Sequence, residues 1–218
     1  MATAAEIIQE IAALSRRDTA SVRAVRKRWS HALKGASADE VLALAKAVEA
    51  EMAQTGKWVG YELIRFHPAA FAAISEAEIA DFASRAASWY AVDAFGTILS
   101  GPLWAKGRIS DDLVDSWSRS EDRWRRRSAL VATVGLNARS SGGAGDAART
   151  LAVCRRLAAD RDDMVEKAMS WALRALSQRD RPAVEGFMAE MDGKLAARVM
   201  REVRNKLRTG LKTPKVRA

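Results

Sequence analysis

Apolar residues recur every three or four positions along almost the whole chain, which is the spacing of helices that bury one face. Alanine is frequent, proline occurs four times, and no run of alternating β-branched residues is present. The pattern therefore predicts an all-α protein. The predicted helices cover residues 3–15, 20–33, 38–54, 57–66, 69–73, 76–87, 88–100, 110–117, 121–136, 145–159, 162–177, 182–189 and 193–207.

Short segments rich in glycine, proline and serine separate many of these helices. The length allows one or two domains, and we predict a single helical-repeat domain over residues 1–210. The tail 211–218 is basic and lacks apolar periodicity, which predicts disorder. The predicted breaks are KGAS at 34–37, HP at 67–68, SGP at 100–102, RSSGGAG at 139–145 and RDRP at 179–182.

Two of the predicted helices resemble each other. The segment DRWRRRSALVATVGL (122–136) can be aligned with DMVEKAMSWALRALS (163–177) at an offset of 41 residues. Stacked antiparallel helix pairs of 40–47 residues are typical of HEAT repeats. The sequence therefore favours an α-solenoid with a concave surface that suits a long curved ligand such as a duplex.

The helix 88–100 places a tryptophan and a carboxylate on one side. Val92, Phe95 and Leu99 form its apolar stripe, whereas Trp89 and Asp93 stand beside that stripe, one turn apart. One interpretation is a functional pair. The other is a structural carboxylate that is paired with Arg85 or with another helix.

Two further helices carry cations at unusual positions. Arg127 falls in line with the apolar stripe of helix 121–136, where a guanidinium needs an anion or a cleft. Arg125 and Arg126 point elsewhere and are expected to be solvated. In helix 162–177, Trp171 lies between Lys167 and Arg174, off the apolar stripe. Such a ring can be part of the core, or it can stack on a sugar or a base while the cations hold phosphates.

The net charge of +9 is unevenly distributed. Residues 1–118 carry 13 Lys/Arg and 15 Asp/Glu, whereas residues 119–218 carry 23 Lys/Arg and 12 Asp/Glu. This basic half favours a polyanion, most simply nucleic acid, as partner. The alternative is a generally basic surface without a particular partner.

Other classes of protein are disfavoured. One cysteine, Cys154, excludes an internal disulfide, and two distant histidines, His31 and His67, make a metal site improbable. The acidic N-terminal segment does not resemble a signal peptide, and no apolar run approaches about 18 residues. We therefore expect a cytoplasmic protein with no cofactor and no membrane association.

The segments SWYAVDAF, RWRRRSAL and VEKAMSWALR, in this order, resemble the AlkD-type DNA alkylation repair proteins, which are HEAT-like DNA glycosylases. The resemblance extends over roughly residues 15 to 205. It implies that Asp93 assists loss of a cationic alkylated purine, that Trp89 and Trp171 line the deoxyribose, and that Arg127 helps to hold the backbone.

The resemblance also implies a concave basic groove that binds double-stranded DNA without extruding the lesion into a pocket, in a protein expected to be a monomer. The expected contacts with DNA come from basic or hydroxyl side chains: Lys167, Arg174, Arg126, Arg125, Thr19, Arg23 and Lys27. Some members of the family bind DNA without removing a base. A non-catalytic module for damaged or branched DNA therefore remains the second hypothesis, and a protein-binding scaffold is a more distant third.

Overall fold

The computed structural model describes residues 2–214, in which every regular element is a helix. The contacts divide the chain into two compact units, Met1–Leu99 and Ser100–Ala218. The predicted all-α class is thus confirmed, and the helices fit the stacked antiparallel pairs of a HEAT-like protein. A single domain over residues 1–210 and a concave groove stay predictions. Residues 211–214 follow the last helix without regular structure, and the rest of the predicted tail, 215–218, lies outside the described residues.

Several helices of the first unit begin with a side-chain cap. Thr3, Ser37 and Ser75 each accept a hydrogen bond from the third backbone amide of the helix that follows, and a glutamate at that position bonds back. These capping boxes define where the helices begin. The helices of this unit are α1 (Ala4–Ala12), α2 (Thr19–Ala32), α3 (Ala38–Glu51), α4 (Trp58–Arg65), α5 (Pro68–Ala73), α6 (Glu76–Arg85) and α7 (Trp89–Ala94).

The core of the first unit combines aromatic packing with a buried ion cluster. The ring of Tyr61 meets those of Phe82 and Phe95 edge to face, with centroids 5.7 Å apart in both pairs. Beside them the fully buried Glu49 accepts from Lys57 at 2.8 Å and from Arg85 at 2.6 Å. Two cations thus compensate one buried carboxylate, which links α3 to the start of α4 and to the end of α6.

The second unit is built around α10. Its residues from Arg127 to Asn137 are all buried, and α10 packs on α8, α9, α11 and α12. The two helices that resemble each other in sequence, α10 and α12, begin alike, because Asp122 and Asp162 each cap the second backbone amide of their helix. The helices are α8 (Gly101–Ala105), α9 (Asp111–Ser118), α10 (Arg123–Asn137), α11 (Ala147–Arg156), α12 (Asp163–Leu176), α13 (Arg181–Glu190) and α14 (Ala197–Thr209).

The predicted break at residues 100–102 is wrong. Helical structure runs through this point into α8, and Pro102 occupies the first turn. Pro102 cannot donate a backbone hydrogen bond to the preceding turn, yet it follows the π-helix Phe95–Ser100 without ending the helical structure. The sequence rule that treats Gly-Pro as a helix terminator therefore misled the prediction of this element.

Candidate functional site

The segment that leads into α7 is fixed by side chains of the first unit. The amide of Gln54 donates to the carbonyl oxygen of Arg85 at 3.0 Å and accepts from the backbone amide of Ala87 at 3.0 Å. Ser88 then caps α7 by accepting from the amide of Ala91 at 3.3 Å. These hydrogen bonds fix the backbone position of the first turn of α7, which begins at Trp89.

Two aromatic side chains stand exposed on that first turn. Trp89 is 44% exposed and Tyr90 is 50% exposed, and their rings stack with centroids 3.5 Å apart and an interplanar angle of 27°. Tryptophan and tyrosine are enriched at binding interfaces, where one end of the side chain is apolar and the other is polar. The sequence pointed to Trp89 but not to Tyr90, although both stand at the start of the same helix.

Asp93 lies one turn after Trp89 and is half-buried. The guanidinium of Arg85, which the sequence offered as one structural partner for Asp93, pairs with Glu49 at 2.6 Å and with Asp81. The hydroxyl of Thr97 donates to the backbone carbonyl of Asp93 at 2.7 Å, which ties the residue to the next turn.

A π-helix, Phe95–Ser100, follows Asp93 directly. The sequence predicted an ordinary α-helix over 88–100, and the buried stripe of Val92, Phe95 and Leu99 is confirmed. The wider π turn is rare, and it is found disproportionately at functional sites because it costs stability. The hydrophobic periodicity could not predict the π-helix, because the same apolar residues would be buried in an α-helix.

A cleft of about 720 Å³ opens beside this helix within the first unit. Thr19, Arg23, Trp58, Tyr90 and Ala94 contribute to its wall. Arg23 donates to Glu62 at 3.0 Å, and its guanidinium lies 5.0 Å from the centre of the Trp58 ring. The structure therefore brings two of the predicted DNA contacts, Thr19 and Arg23, together with aromatic rings that the sequence did not single out.

The predicted cation Lys27 lies on α2 away from this cleft. Its side chain is exposed and does not contribute to the cleft wall. It remains available to a ligand that extends along α2.

The three consecutive arginines of α10 have different environments. Arg127 is buried, and it donates to the carbonyl oxygen of Met164 on α12. Arg126 is not solvated as expected, because it pairs with Asp160 at 2.6 Å. Arg125 is half-buried, and burial lowers the pKa of its guanidinium.

Trp171 lines a basic cleft in the second unit. The cleft has a volume of about 660 Å³, and none of the described residues that line it is acidic. Trp171 is half-buried, so it does not belong to the core that Val165 and Leu176 form on the other side of α12. The polar residues of the cleft are Asn137, Arg139, Ser140, Arg174, Gln178, Arg179 and Lys206.

The cations around Trp171 are held to different degrees. The Nε of Arg174 donates to the hydroxyl of Ser170 at 3.1 Å, and burial lowers the pKa of Arg174. Lys167 is exposed and pairs with Asp163 at 2.7 Å, a surface pair that an anionic ligand can displace at small cost. The sequence missed Arg139 and Lys206, which reach the cleft from a loop and from α14.

The two groups of candidate residues belong to different units. Trp89 and Asp93 lie in the first, and Arg127 and Trp171 lie in the second. Residues 100–218 carry 25 Lys/Arg against 15 Asp/Glu, so the excess positive charge resides on the second unit. The convergence of both groups on one nucleotide remains a prediction.

Among the described residues no three His, Cys, Asp or Glu side chains are grouped so that they could hold a metal ion. Within the same range, no helix combines the length and apolar character needed to cross a membrane.

Comparison with known families gives one match. Residues 17–207 match the model of a family described as DNA alkylation repair enzyme. No curated protein and no solved structure shows significant similarity to the chain.

Proposed function

The chain belongs to the DNA alkylation repair enzyme family, and we propose that it is a monofunctional DNA glycosylase. Membership of the family supports an enzyme that acts in the repair of alkylated DNA. In our proposal the substrate is double-stranded DNA that carries a purine alkylated at N3 or N7. The reaction is hydrolysis of the N-glycosidic bond, which initiates base excision repair without a metal or a cofactor.

The enzyme does not need to protonate the leaving base. Alkylation at N3 or N7 gives the purine a formal positive charge, so the base departs without being protonated. Positive charge then develops at C1′ of the sugar, as in glycoside hydrolysis. A carboxylate close to C1′ stabilises that charge and orients the attacking water. We assign this role to Asp93.

The observation that carries the proposal is the arrangement on α7. Asp93 is half-buried one turn from the exposed ring of Trp89. A tryptophan face attracts a cation by about 0.5–2 kcal/mol. A ring and a carboxylate on one turn thus suit a small cationic target such as an oxocarbenium sugar.

The cleft around Trp171 supports a role in holding the DNA. It combines a tryptophan ring with four cations, and its described lining residues include no carboxylate. Phosphates favour such surroundings, and a sugar can pack on the ring. We therefore assign Trp171 to the deoxyribose, Arg174 and Lys167 to the phosphates, and the buried Arg127 to orienting the backbone.

A module that binds damaged or branched DNA without chemistry is the alternative. Its basic surfaces would serve equally well, but a carboxylate near the phosphates would weaken its binding. The two functions differ in whether a free base appears.

The test is to incubate the protein with a duplex that contains one N7-methylguanine and to quantify released base by chromatography. We expect release by the wild type, and by a control in which the exposed Asp112 is changed to Asn. Binding of the duplex without release above the spontaneous rate would favour the alternative.

A further inference from the structure

The last helix, α14, presents an unusually basic surface. Its 13 residues include five Lys or Arg and a single acidic residue, Glu202. That carboxylate is buried, accepts from the hydroxyl of Ser170 at 2.6 Å, and lies 3.5 Å from the amine of Lys212. The helix therefore offers no negative charge to balance the cations on its exposed side.

Three arginines form a row on this exposed side, which we call the α14 arginine row. Arg201, Arg204 and Arg208 are all exposed and follow one another at intervals of three and four residues, so they share one face. Arg201 and Arg208 have no ion-pair or hydrogen-bond partner among the described residues. Arg204 has only a 3.7 Å contact with Asp192, and both side chains are largely exposed.

The α14 arginine row is separate from the cleft around Trp171. Lys206, which lines that cleft, lies roughly 140–160° around the helix axis from each arginine of the row, at 3.6 residues per turn. An α-helix with its side chains is about 10–12 Å wide. The side of α14 away from the row packs on the protein through Val199 and Val203, so the row faces a different direction from the cleft.

We propose that the α14 arginine row is a second DNA-binding surface, which binds the phosphate backbone of a separate duplex segment. Arg208 follows Arg201 by seven positions, a rise of about 10 Å along the helix, which is enough to face two or three successive phosphates of one strand. Guanidinium groups bind phosphates through paired hydrogen bonds without reading the sequence. The inference goes beyond the proposed function, because this surface would bind undamaged DNA and needs no alkylated base.

Two DNA-binding surfaces on one unit have a kinetic consequence. A protein that is bound through the first surface can capture a second duplex through the α14 arginine row before it releases the first. Transfer between DNA segments then proceeds without a free protein intermediate. The apparent dissociation rate should rise with the concentration of competing DNA.

The experiment follows dissociation of the full-length protein from a fluorescent, undamaged duplex as unlabelled duplex is added in increasing concentration. For the wild type we expect a rate that increases with competitor. For the triple variant Arg201→Gln, Arg204→Gln, Arg208→Gln we expect a rate that is independent of competitor. The triple Arg→Lys variant, which keeps the charges, should retain at least half of the dependence.

A matched control separates this surface from the loss of net charge. Lys34, Lys106 and Arg108 are exposed cations elsewhere in the chain, and their triple Gln variant has the same net charge as the test variant. It should transfer like the wild type, and melting curves establish that both variants are folded.

Three results would overturn the inference. The first is a wild-type rate that is independent of competitor, and the second is equal competitor dependence in the test and control variants. The third is that the α14 arginine row binds anionic phospholipid vesicles, while the triple Arg→Gln variant transfers between DNA segments like the wild type. Because undamaged DNA is used, failure here is distinguishable from failure to release an alkylated base.

Discussion

Replacing Asp93 by Asn separates the charge of this side chain from its shape. The carboxylate is half-buried, so an effective dielectric constant of about 20 is appropriate, and at about 4 Å from a unit positive charge its attraction is about 4 kcal/mol. The charge at C1′ is partial in the transition state. Loss of roughly 10²–10³-fold in the rate of base release is therefore expected, which matches the effect of removing one electrostatic stabiliser elsewhere.

The assay is single-turnover release of N7-methylguanine with enzyme in saturating excess. Under these conditions weaker binding does not lower the measured rate of base release. Affinity for the duplex should hold or rise in Asp93→Asn, because a negative charge near phosphates has gone. A melting curve measured in parallel reports structural damage. An unchanged rate in a folded Asp93→Asn protein would refute the catalytic role, whereas lower stability with a normal rate per folded molecule would identify a structural carboxylate.

Three further predictions address the surroundings of this site. Trp171→Ala should slow single-turnover release by about tenfold, the scale of one lost cation–π contact, and a loss above about 10³-fold would mean that the ring does more than contact the sugar. Lys167→Ala and Arg174→Ala should each weaken duplex binding and reduce the slope of log K against log salt by about one, as measured by fluorescence anisotropy; unchanged slopes would remove these residues from the interface. Glu49→Gln should lower the free energy of unfolding by about 3–5 kcal/mol in urea titrations, because Lys57 is left buried without its carboxylate, and a loss below about 1 kcal/mol would show that the cluster is not structurally important.

Periodicity predicted most of the helices because each buries a stripe that repeats every three or four residues. It also placed Arg127 correctly on the buried side of α10 and Trp171 off the apolar stripe of α12. The helix through Pro102 was missed because a proline in a first turn looks, in sequence, like one that ends a helix.

Features that depend on long-range contacts could not be read from the sequence. Glu49 pairs with Lys57 and Arg85, which lie 8 and 36 residues away along the chain. This distribution of partners is what engages Arg85 with Glu49 and Asp81. Arg126 likewise finds Asp160 across 34 residues. A helical wheel shows on which side of its helix an arginine lies, but it does not show which carboxylate of another segment packs against that side.

The account depends most on stabilisation of positive charge at C1′ by Asp93. The direct measurement compares the affinity of the protein for two duplexes, one containing a cationic pyrrolidine sugar mimic and one containing a neutral tetrahydrofuran at the same position. Because a site complementary to the transition state binds its analogue at least about 10²-fold more tightly, we predict such a preference in the wild type and its loss in Asp93→Asn. Equal affinity of the wild type for the two duplexes would contradict the account.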